Sequence, residues 1–164
     1  MTRSPYQSAA AECRGYYHSP IGWLEICGTD RYIKSIFFQD QADPPAAEPS
    51  ALIKNCIQQL ADYFNKQRSE FSLPLQPEGT AFQKSVWQAL QEVPFGKTAS
   101  YLDIAKRLKN PRASRAVGAA NGKNPISIII PCHRIIGANG DLVGYGGGLW
   151  RKKWLLQHEK NWLL

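Results

Sequence analysis

A cysteine and a histidine stand side by side in the segment Pro131-Cys132-His133-Arg134, directly after the apolar run of residues 128–130. The thiolate is the form of cysteine that attacks electrophilic carbon, and a neighbouring imidazole favours its formation near neutral pH. The isoleucine run ending in proline predicts a buried strand that stops at Pro131, because proline cannot donate to a strand ladder. The pattern therefore indicates a thiol nucleophile at a rigid strand end. The alternative is an inert packing cysteine, which is common beside apolar runs.

The net charge of +7 is unevenly distributed along the chain. Residues 1–78 carry seven Lys and Arg against nine Asp and Glu, a net −2, whereas residues 79–164 carry 13 against four, a net +9. An excess of this size favours nucleic acid or another anionic partner, although many basic proteins bind nothing specific. We therefore expect any polyanion to bind the second half.

Length and composition limit the protein class. A chain of 164 residues with 43% apolar content forms one ordinary domain or two small ones. No run approaches the roughly 20 apolar residues of a membrane span, and the polar start at residues 1–7 lacks an apolar secretory stretch, so we expect a cytoplasmic protein without membrane contact. The cysteines are widely spaced, without a CxxC pair or a Cys-His grouping at zinc spacing: Cys13, Cys27, Cys56 and Cys132. Free thiols are expected, with neither disulfides nor a metal site.

Alternating apolar and polar residues over 16–38, broken at 20–22 and at 28–30, predict short antiparallel strands. After a proline-containing loop at 41–49, Ser50 is expected to cap a helix that packs on these strands. The apolar residues at helical spacing are Leu52, Ile53, Cys56, Ile57, Leu60, Tyr63 and Phe64. Residues 71–79 contain two prolines and predict an extended linker, so we place a domain boundary between residues 78 and 79.

The second half predicts short helices. Thr80 and Ser100 are expected N-caps, and Asn110 with Pro111 predicts the start of a third helix that ends at Gly122. The expected apolar faces are Phe82, Val86, Trp87 and Leu90 in the first helix, and Leu102, Ile104, Ala105 and Leu108 in the second. The tight connection of the last two helices is typical of a helix-turn-helix, although any helical hairpin shares it.

The third helix has an unusual composition. Its small residues are Ala113, Ala116, Gly118, Ala119 and Ala120. Because glycine costs about 1 kcal/mol in a helix interior, close approach to a partner, either DNA or another helix, explains this composition better than stability does. Arg115 is the long cation on this surface; it suits a narrow groove or the gap left by an extruded base, the alternative being an ordinary surface arginine.

Five motifs occur in a definite order: Ser114-Arg115-Ala116-Val117-Gly118, Asn124-Pro125, Pro131-Cys132-His133-Arg134, Gly144-Tyr145-Gly146-Gly147-Gly148-Leu149 and Trp154-Leu155-Leu156-Gln157-His158-Glu159. Together they resemble the O6-alkylguanine-DNA alkyltransferase family, continuously over residues 80–159 and only in outline over 1–78. The resemblance implies an α+β fold, with a small α/β N-terminal domain of antiparallel strands and a mostly helical C-terminal domain that contains the helix-turn-helix. It also implies a monomer that flips O6-alkylguanine, and O4-alkylthymine, out of double-stranded DNA. The alkyl group would pass irreversibly to Cys132, once per molecule and without a cofactor.

The resemblance also assigns roles within the site. His133 would be the base, and because neighbours in a strand point to opposite faces, it would reach Cys132 through a turn or a water molecule. Glu159 would accept the other imidazole N–H, its alternative being a solvated charge beside Lys160. Asn124 would bridge its loop to the active-site segment.

The remaining roles concern substrate and DNA. Tyr101 would help rotate the target phosphate and donate to the base, and Tyr145 would wall the guanine pocket. Gly146 stands where some relatives have serine, so a hydroxyl donor to O6 is missing and larger alkyl groups have room. The zinc ligands of some relatives have no counterpart. The substrate-binding set is Tyr101, Ser127, Tyr145 and Gly146, and the DNA-binding set is Asn110, Arg115, Ala116, Gly118 and Lys123.

Three other functions compete with alkyl transfer. A non-catalytic lesion-binding relative would lack the acceptor cysteine, which this chain has at position 132. A cysteine hydrolase would leave the basic half and Arg115 unexplained. A regulator that reads sequence in the major groove needs base-reading side chains, of which the small-residue helix offers few.

Overall fold

The N-terminal part is built on an antiparallel sheet. The computed structural model describes residues 11–44 and 47–162, so the polar start at residues 1–7 lies outside it. Strands β1 (Cys13–Ser19), β2 (Gly22–Gly28) and β3 (Ile33–Gln39) pair in the order β1-β2-β3. The first turn needs Gly22, whose φ of +116° lies in a region that L side chains rarely adopt. The alternating pattern therefore predicted these strands and their breaks correctly.

Helix α1 (Ala51–Phe64) covers one face of the sheet. The side chain of Ser50 accepts a hydrogen bond from the backbone N–H of Ile53 at 3.2 Å, which is the predicted cap. The inner face of α1 is buried against the strands, and it includes Ile53, Leu60 and Tyr63. The helical spacing predicted this face correctly.

The outer edge of β3 is covered by two short segments from other parts of the chain. The backbone N–H of Ile33 donates to Pro74 O at 2.9 Å, and Gln76 N donates to Ile33 O at 2.8 Å, so the extended linker pairs with the start of β3. Further along, Ile36 N donates to Pro125 O at 2.9 Å, and Ser127 N donates to Ile36 O at 3.1 Å. These bonds satisfy an exposed strand edge and join β3 to the segment that precedes Cys132.

The C-terminal part is mostly helical. Its elements are α2 (Ala81–Leu90), β4 (Ala99–Ser100), α3 (Tyr101–Arg107), a 3₁₀ turn (Pro111–Ala113), α4 (Ser114–Gly122), a second 3₁₀ turn (Cys132–Arg134), β5 (Ile135–Ile136) and α5 (Leu149–Trp162). Thr80 and Ser100 form the predicted caps, each completed by a reciprocal bond from Gln83 or Asp103. Asn110 occupies the cap position before Pro111 without a side-chain hydrogen bond. The predicted α+β fold class is confirmed.

Two residues predicted to be buried are exposed. Leu102 is 39% exposed and Phe82 is 37% exposed. Leu102 lies two positions before the buried Ile104, which places it on the opposite side of α3. Phe82 lies in the first turn of α2, and the first buried residue of that helix is Val86, one turn later.

The strand predicted for residues 128–130 does not form. The chain instead turns sharply there, with Ile130 N donating to Ile126 O at 3.1 Å and Cys132 N donating to Ile130 O at 2.8 Å. Ile128 has a φ of +72°, which is strained for a β-branched residue and is sustained here by burial. An apolar run indicates burial, but it does not determine whether the buried backbone is extended.

One hydrophobic core joins both parts of the molecule. It runs from the sheet and α1 through α2, α3 and the turn before Cys132 to Leu155 of α5. None of the helices within 11–44 and 47–162 is long and apolar enough to cross a membrane.

Candidate active site and nucleic-acid interface

Cys132 and His133 lie on the 3₁₀ turn that follows the buried isoleucines. Residue 132 is 6% exposed and His133 is fully buried. β5 follows this turn and pairs in parallel with β4, which brings Ser100 and the start of α3 beside the site. His133 Nε2 is hydrogen-bonded to the carboxylate of Glu159. His133 Nδ1 is buried and has no hydrogen-bond partner in the described part of the chain.

Glu159 of α5 is the carboxylate beside the histidine, and it is 1% exposed. Its Oε1 lies 2.7 Å from His133 Nε2 and accepts the Tyr63 hydroxyl at 2.9 Å. The guanidinium of Arg134 donates to both carboxylate oxygens at 2.9 Å, and Gly96 N lies 3.4 Å from Oε2. Glu159 is therefore a buried carboxylate with hydrogen-bond partners on both oxygens, and not a solvent-exposed charge beside Lys160.

The protonation states of the site follow from burial and from these contacts. Burial opposes ionisation of Glu159, but His133 and then Arg134 hold its pKa well below the usual range. Burial raises the pKa of the Cys132 thiol, against the opposing effects of an Asn124 hydrogen bond and the Lys152 charge. Burial also lowers the pKa of His133, against the effect of Glu159. Burial thus favours the neutral forms of the Cys132 thiol and the His133 imidazole, whereas the contacts of Glu159 favour its ionised form.

Asn124 holds the turn that carries Cys132. Its Nδ2 donates to Ile130 O at 2.8 Å and lies 3.4 Å from Ile126 O. Its Oδ1 accepts the N–H of Ile126 at 3.0 Å. The side chain therefore ties the start of the turn to its end, the bridging position that the family resemblance implied.

The glycine-rich segment 143–148 is held in place from α5 and α3. Lys152 is fully buried, and its Nζ donates to Val143 O at 2.9 Å and lies 3.4 Å from Gly144 O. Tyr101 donates its hydroxyl to Val143 O at 3.1 Å, and Arg151 donates to Gly147 O at 2.9 Å. Sequence reasoning missed Lys152 because it stands in an Arg-Lys-Lys run typical of a surface. Its spacing of three and seven residues from the buried Leu155 and Glu159 was the available signal.

A cavity of about 250 Å³ opens onto Cys132. Ser127 and Tyr145 line it together with Asn124, and the Tyr145 hydroxyl is buried without a partner among the residues that the structure describes. A Cβ added at Gly146 would meet no atom within 4 Å, so the absence of a side chain at this position leaves open space. A larger groove of about 680 Å³ runs between the 71–79 linker and α2, but it contains none of the site residues.

The exposed side of α4 forms a smooth surface beside this cavity. Arg115 and Ala116 are exposed on it, and Asn110 and Lys123 are exposed at the two ends of the segment. Gly118 packs against Tyr101, since a Cβ at this glycine would lie 3.7 Å from the tyrosine ring. Close packing against a neighbouring helix therefore explains Gly118, while Ala116 leaves the outer surface of α4 smooth.

Comparison with known proteins gives one family throughout. Models of the 6-O-methylguanine DNA methyltransferase family match residues 13–77, as its ribonuclease-like domain, and residues 81–161, as its DNA-binding domain. The methylated-DNA–protein-cysteine methyltransferase of Methanosarcina acetivorans is 46% identical over 148 residues, which is 87% of this chain and 95% of the relative. The enzyme of the same name from Mycolicibacterium paratuberculosis is 45% identical over 147 residues, which is 87% of this chain and 89% of the relative.

Solved structures agree. The crystal structure of Mycobacterium tuberculosis O6-methylguanine methyltransferase matches with a TM-score of 0.83 and 41% identity, over 92% of this chain and 94% of that one. The structure of Mycobacterium tuberculosis OGT in complex with DNA matches with a TM-score of 0.82 and 42% identity, over 90% of this chain and 92% of that one. The resemblance inferred from the motifs is confirmed: the chain belongs to the 6-O-methylguanine DNA methyltransferase family.

Proposed function

We propose that this protein, a DNA-repair alkyltransferase by family, takes the alkyl group from O6 of guanine or O4 of thymine in double-stranded DNA. The group passes irreversibly to its own Cys132 in a single turnover. The observation that carries the proposal is the position of Cys132 on a cavity, with His133 next to it on the same turn and hydrogen-bonded to the buried Glu159 of α5. No cofactor is required, because the lesion carries the electrophilic carbon and the thiol is the acceptor.

The proposed reaction is a displacement at the alkyl carbon. The thiol proton passes to His133 Nδ1 through a water molecule, and Glu159 stabilises the resulting imidazolium. The S–C bond forms as the C–O6 bond breaks, and the bonding electron pair leaves with O6. The Gly146 backbone N–H stabilises the departing oxygen, as does the Tyr101 hydroxyl once it exchanges its hydrogen bond to Val143 O for one to the substrate, and guanine regains a proton. The net change moves the alkyl group to sulfur and one proton to guanine.

DNA would bind the smooth face of α4. Its small residues permit close approach to the groove, and Arg115 would fill the gap left by the extruded base while Asn110, Lys123 and the backbone near Ala116 and Gly118 contact the strand. In this proposal residues 79–164 form the DNA-binding and acceptor domain, and residues 1–78 form an N-terminal domain that shares a hydrophobic core with it. We further propose that the protein acts as a cytoplasmic monomer.

The test is intact-protein mass spectrometry after incubation with a duplex that contains one O6-methylguanine. We expect one added methyl group per protein, on the peptide that contains Cys132. A Cys132→Ala variant should bind the lesion duplex without gaining mass. Repeated turnover would contradict the proposal, and lesion binding without mass gain by the wild type would favour the non-catalytic alternative.

A further inference from the structure

We propose that Arg151 is a positioning residue, which fixes the glycine-rich segment 143–148 against the N-terminal hairpin so that the segment forms a preorganised wall of the substrate pocket. The inference rests on the proposed function, because Arg151 acts on the reaction only through that segment. Its basis is that Arg151 is hydrogen-bonded on one side to the hairpin and on the other to Gly147, which lines the cavity beside Cys132.

The glycine-rich segment needs an anchor from outside itself. Gly144 and Gly148 have φ values of +55° and +92°, and Gly146 and Gly147 add two more residues without side chains. Glycine loses more conformational freedom than any other residue when its backbone becomes fixed. Within the segment, Gly148 N donates to Tyr145 O at 2.9 Å, which closes a turn. This bond does not fix the turn relative to the rest of the molecule.

Arg151 provides the anchor with two different nitrogens of its guanidinium. Nη1 donates to Gly147 O at 2.9 Å, and Nε donates to Ile21 O at 2.7 Å in the turn between β1 and β2. The third nitrogen, Nη2, also lies against this turn, since a Cβ added at Gly22 would be 2.9 Å from it. A planar guanidinium holds its N–H groups at fixed angles, so one side chain sets the position of Gly147 O relative to the hairpin.

Two aromatic rings restrict the guanidinium further. Its central carbon lies over the Phe38 ring and over the Trp150 ring, 4.6 Å from the centre of each. A cation over a ring face is attracted by the ring quadrupole. The Phe38 ring also meets the Tyr145 ring edge-on, with centroids 6.5 Å apart. Arg151 therefore joins the hairpin and β3 to the same turn that carries Tyr145.

The anchored segment supplies two of the proposed substrate contacts, the Tyr145 wall and the Gly146 backbone N–H. A donor that is already in position requires no reorganisation during the reaction, and a small misplacement slows a reaction strongly. Without Arg151 the segment would have to become ordered when the substrate binds. The hydrogen bonds of Arg151 lead to the hairpin and to this segment, so the reactivity of Cys132 toward a small reagent should not depend on them.

The experiment compares Arg151→Met and Arg151→Lys with the wild type. Rates of transfer from free O6-benzylguanine over a range of concentrations give the maximal rate and the half-saturating concentration, without contributions from DNA binding or base extrusion. Peptide mass spectrometry follows the reaction of Cys132 with iodoacetamide and the hydrogen exchange of the amides in 143–148. The matched control is Lys153→Met, which removes a positive charge from an exposed position on the same helix.

In Arg151→Met we expect the maximal transfer rate to fall about tenfold and the half-saturating concentration to rise. The amides of 143–148 should exchange faster, while the reaction of Cys132 with iodoacetamide should not slow. Arg151→Lys keeps the charge but not the planar fork of donors, so it should recover only part of the transfer rate. Lys153→Met should behave like the wild type in every measurement.

Three outcomes would overturn the positioning role while leaving the proposed function intact. These are unchanged transfer in Arg151→Met, full recovery in Arg151→Lys, and equal slowing of transfer and of the iodoacetamide reaction. If the wild type transfers no alkyl group to Cys132 from the free base or from lesion duplex DNA, the proposed function itself fails. Because Arg151→Lys keeps the charge and the apolar stem, it should fold even if Arg151→Met does not.

Discussion

Glu159 is hydrogen-bonded to residues from three separate regions of the chain. Tyr63 belongs to α1, Gly96 to the loop after α2, and His133 and Arg134 to the turn that carries the nucleophile. Desolvating a carboxylate is costly unless its oxygens are fully paired, and these donors provide the pairing. The ionised carboxylate is thus available to stabilise an imidazolium at His133, against the effect of burial, which lowers the pKa of that imidazole.

At this scale, Glu159→Gln should slow the reaction of Cys132. Because a neutral amide cannot stabilise the imidazolium, the apparent pKa of the thiol should rise, and alkylation by a small reagent at pH 7 should slow at least about tenfold. Lesion-DNA affinity should stay close to wild type. The measurement is the pH dependence of Cys132 alkylation in wild type, Glu159→Gln and His133→Ala. Identical apparent thiol pKa values in all three would mean that the thiol is activated by another group.

Lys152 provides a second residue-scale prediction. Lys152→Met removes the donor to Val143 O and Gly144 O and also removes a charge that lowers the pKa of the Cys132 thiol. We expect transfer from lesion DNA to slow about tenfold or more and the apparent thiol pKa to rise. The matched control is Lys153→Met, because Lys153 is the next residue and is exposed. Equal effects of the two substitutions would show that only the net charge of α5 matters.

At the scale of elements, helix α4 has one buried face and one exposed face. Val117 and Ala120 face the interior, where Ala120 O accepts the indole N–H of Trp87 at 2.8 Å. Arg115 and Ala116 lie on the outer face. A helix whose exposed side chains are small, and whose buried face is packed and hydrogen-bonded, can approach a nucleic-acid backbone closely without moving relative to the core.

The prediction at this scale concerns Arg115→Ala. If Arg115 replaces an extruded base, its loss should slow transfer from duplex DNA by about tenfold or more, because extrusion costs a few kcal/mol. Transfer from free O6-benzylguanine should change little, since it requires no extrusion. Arg112→Ala, an exposed neighbour on the preceding turn, is the control for lost charge alone. Equal losses on both substrates would refute the proposed role of Arg115.

At the scale of the whole molecule, the two parts are joined through the site itself. Tyr63 of α1 donates its hydroxyl to Glu159, and its carbonyl oxygen lies 2.9 Å from His158 Nε2. Arg151 donates to Ile21 O at 2.7 Å, which connects α5 to the first hairpin. With one core shared between the parts, we expect the sheet and the helices to unfold together.

The pH dependence of unfolding tests this connection. The folded-state pKa of Glu159 lies below the value of about 4.3 of an unfolded glutamate, so its contribution is fully present above that pH and is lost as the pH falls. We expect Glu159→Gln to lower the free energy of unfolding by about 3–5 kcal/mol at pH 7, with the difference from wild type shrinking below about pH 4. Urea unfolding at a series of pH values measures it. The control is Glu92→Gln, because the Glu92 side chain is exposed. If the difference in unfolding free energy between wild type and Glu159→Gln does not vary with pH, the prediction is contradicted.

Interactions between residues close together in the sequence determined the helix starts and the strands of this protein. The caps at Ser50, Thr80 and Ser100 and the alternation of the three strands depend on contacts within a few residues, so they are visible in the chain itself. The motif with Cys132 and His133 indicated the family and a thiol nucleophile.

Only the tertiary structure decided how the site is assembled. The isoleucines before Pro131 turn instead of forming a strand, because burial among other elements overrides the local preference for extended backbone. Tyr63 and Glu159 stand 96 residues apart, and the contact between them depends on how α1 packs against α5. The burial of Lys152 likewise arises from packing between distant segments. Spacing along a single chain does not specify such contacts, because each requires two surfaces to meet.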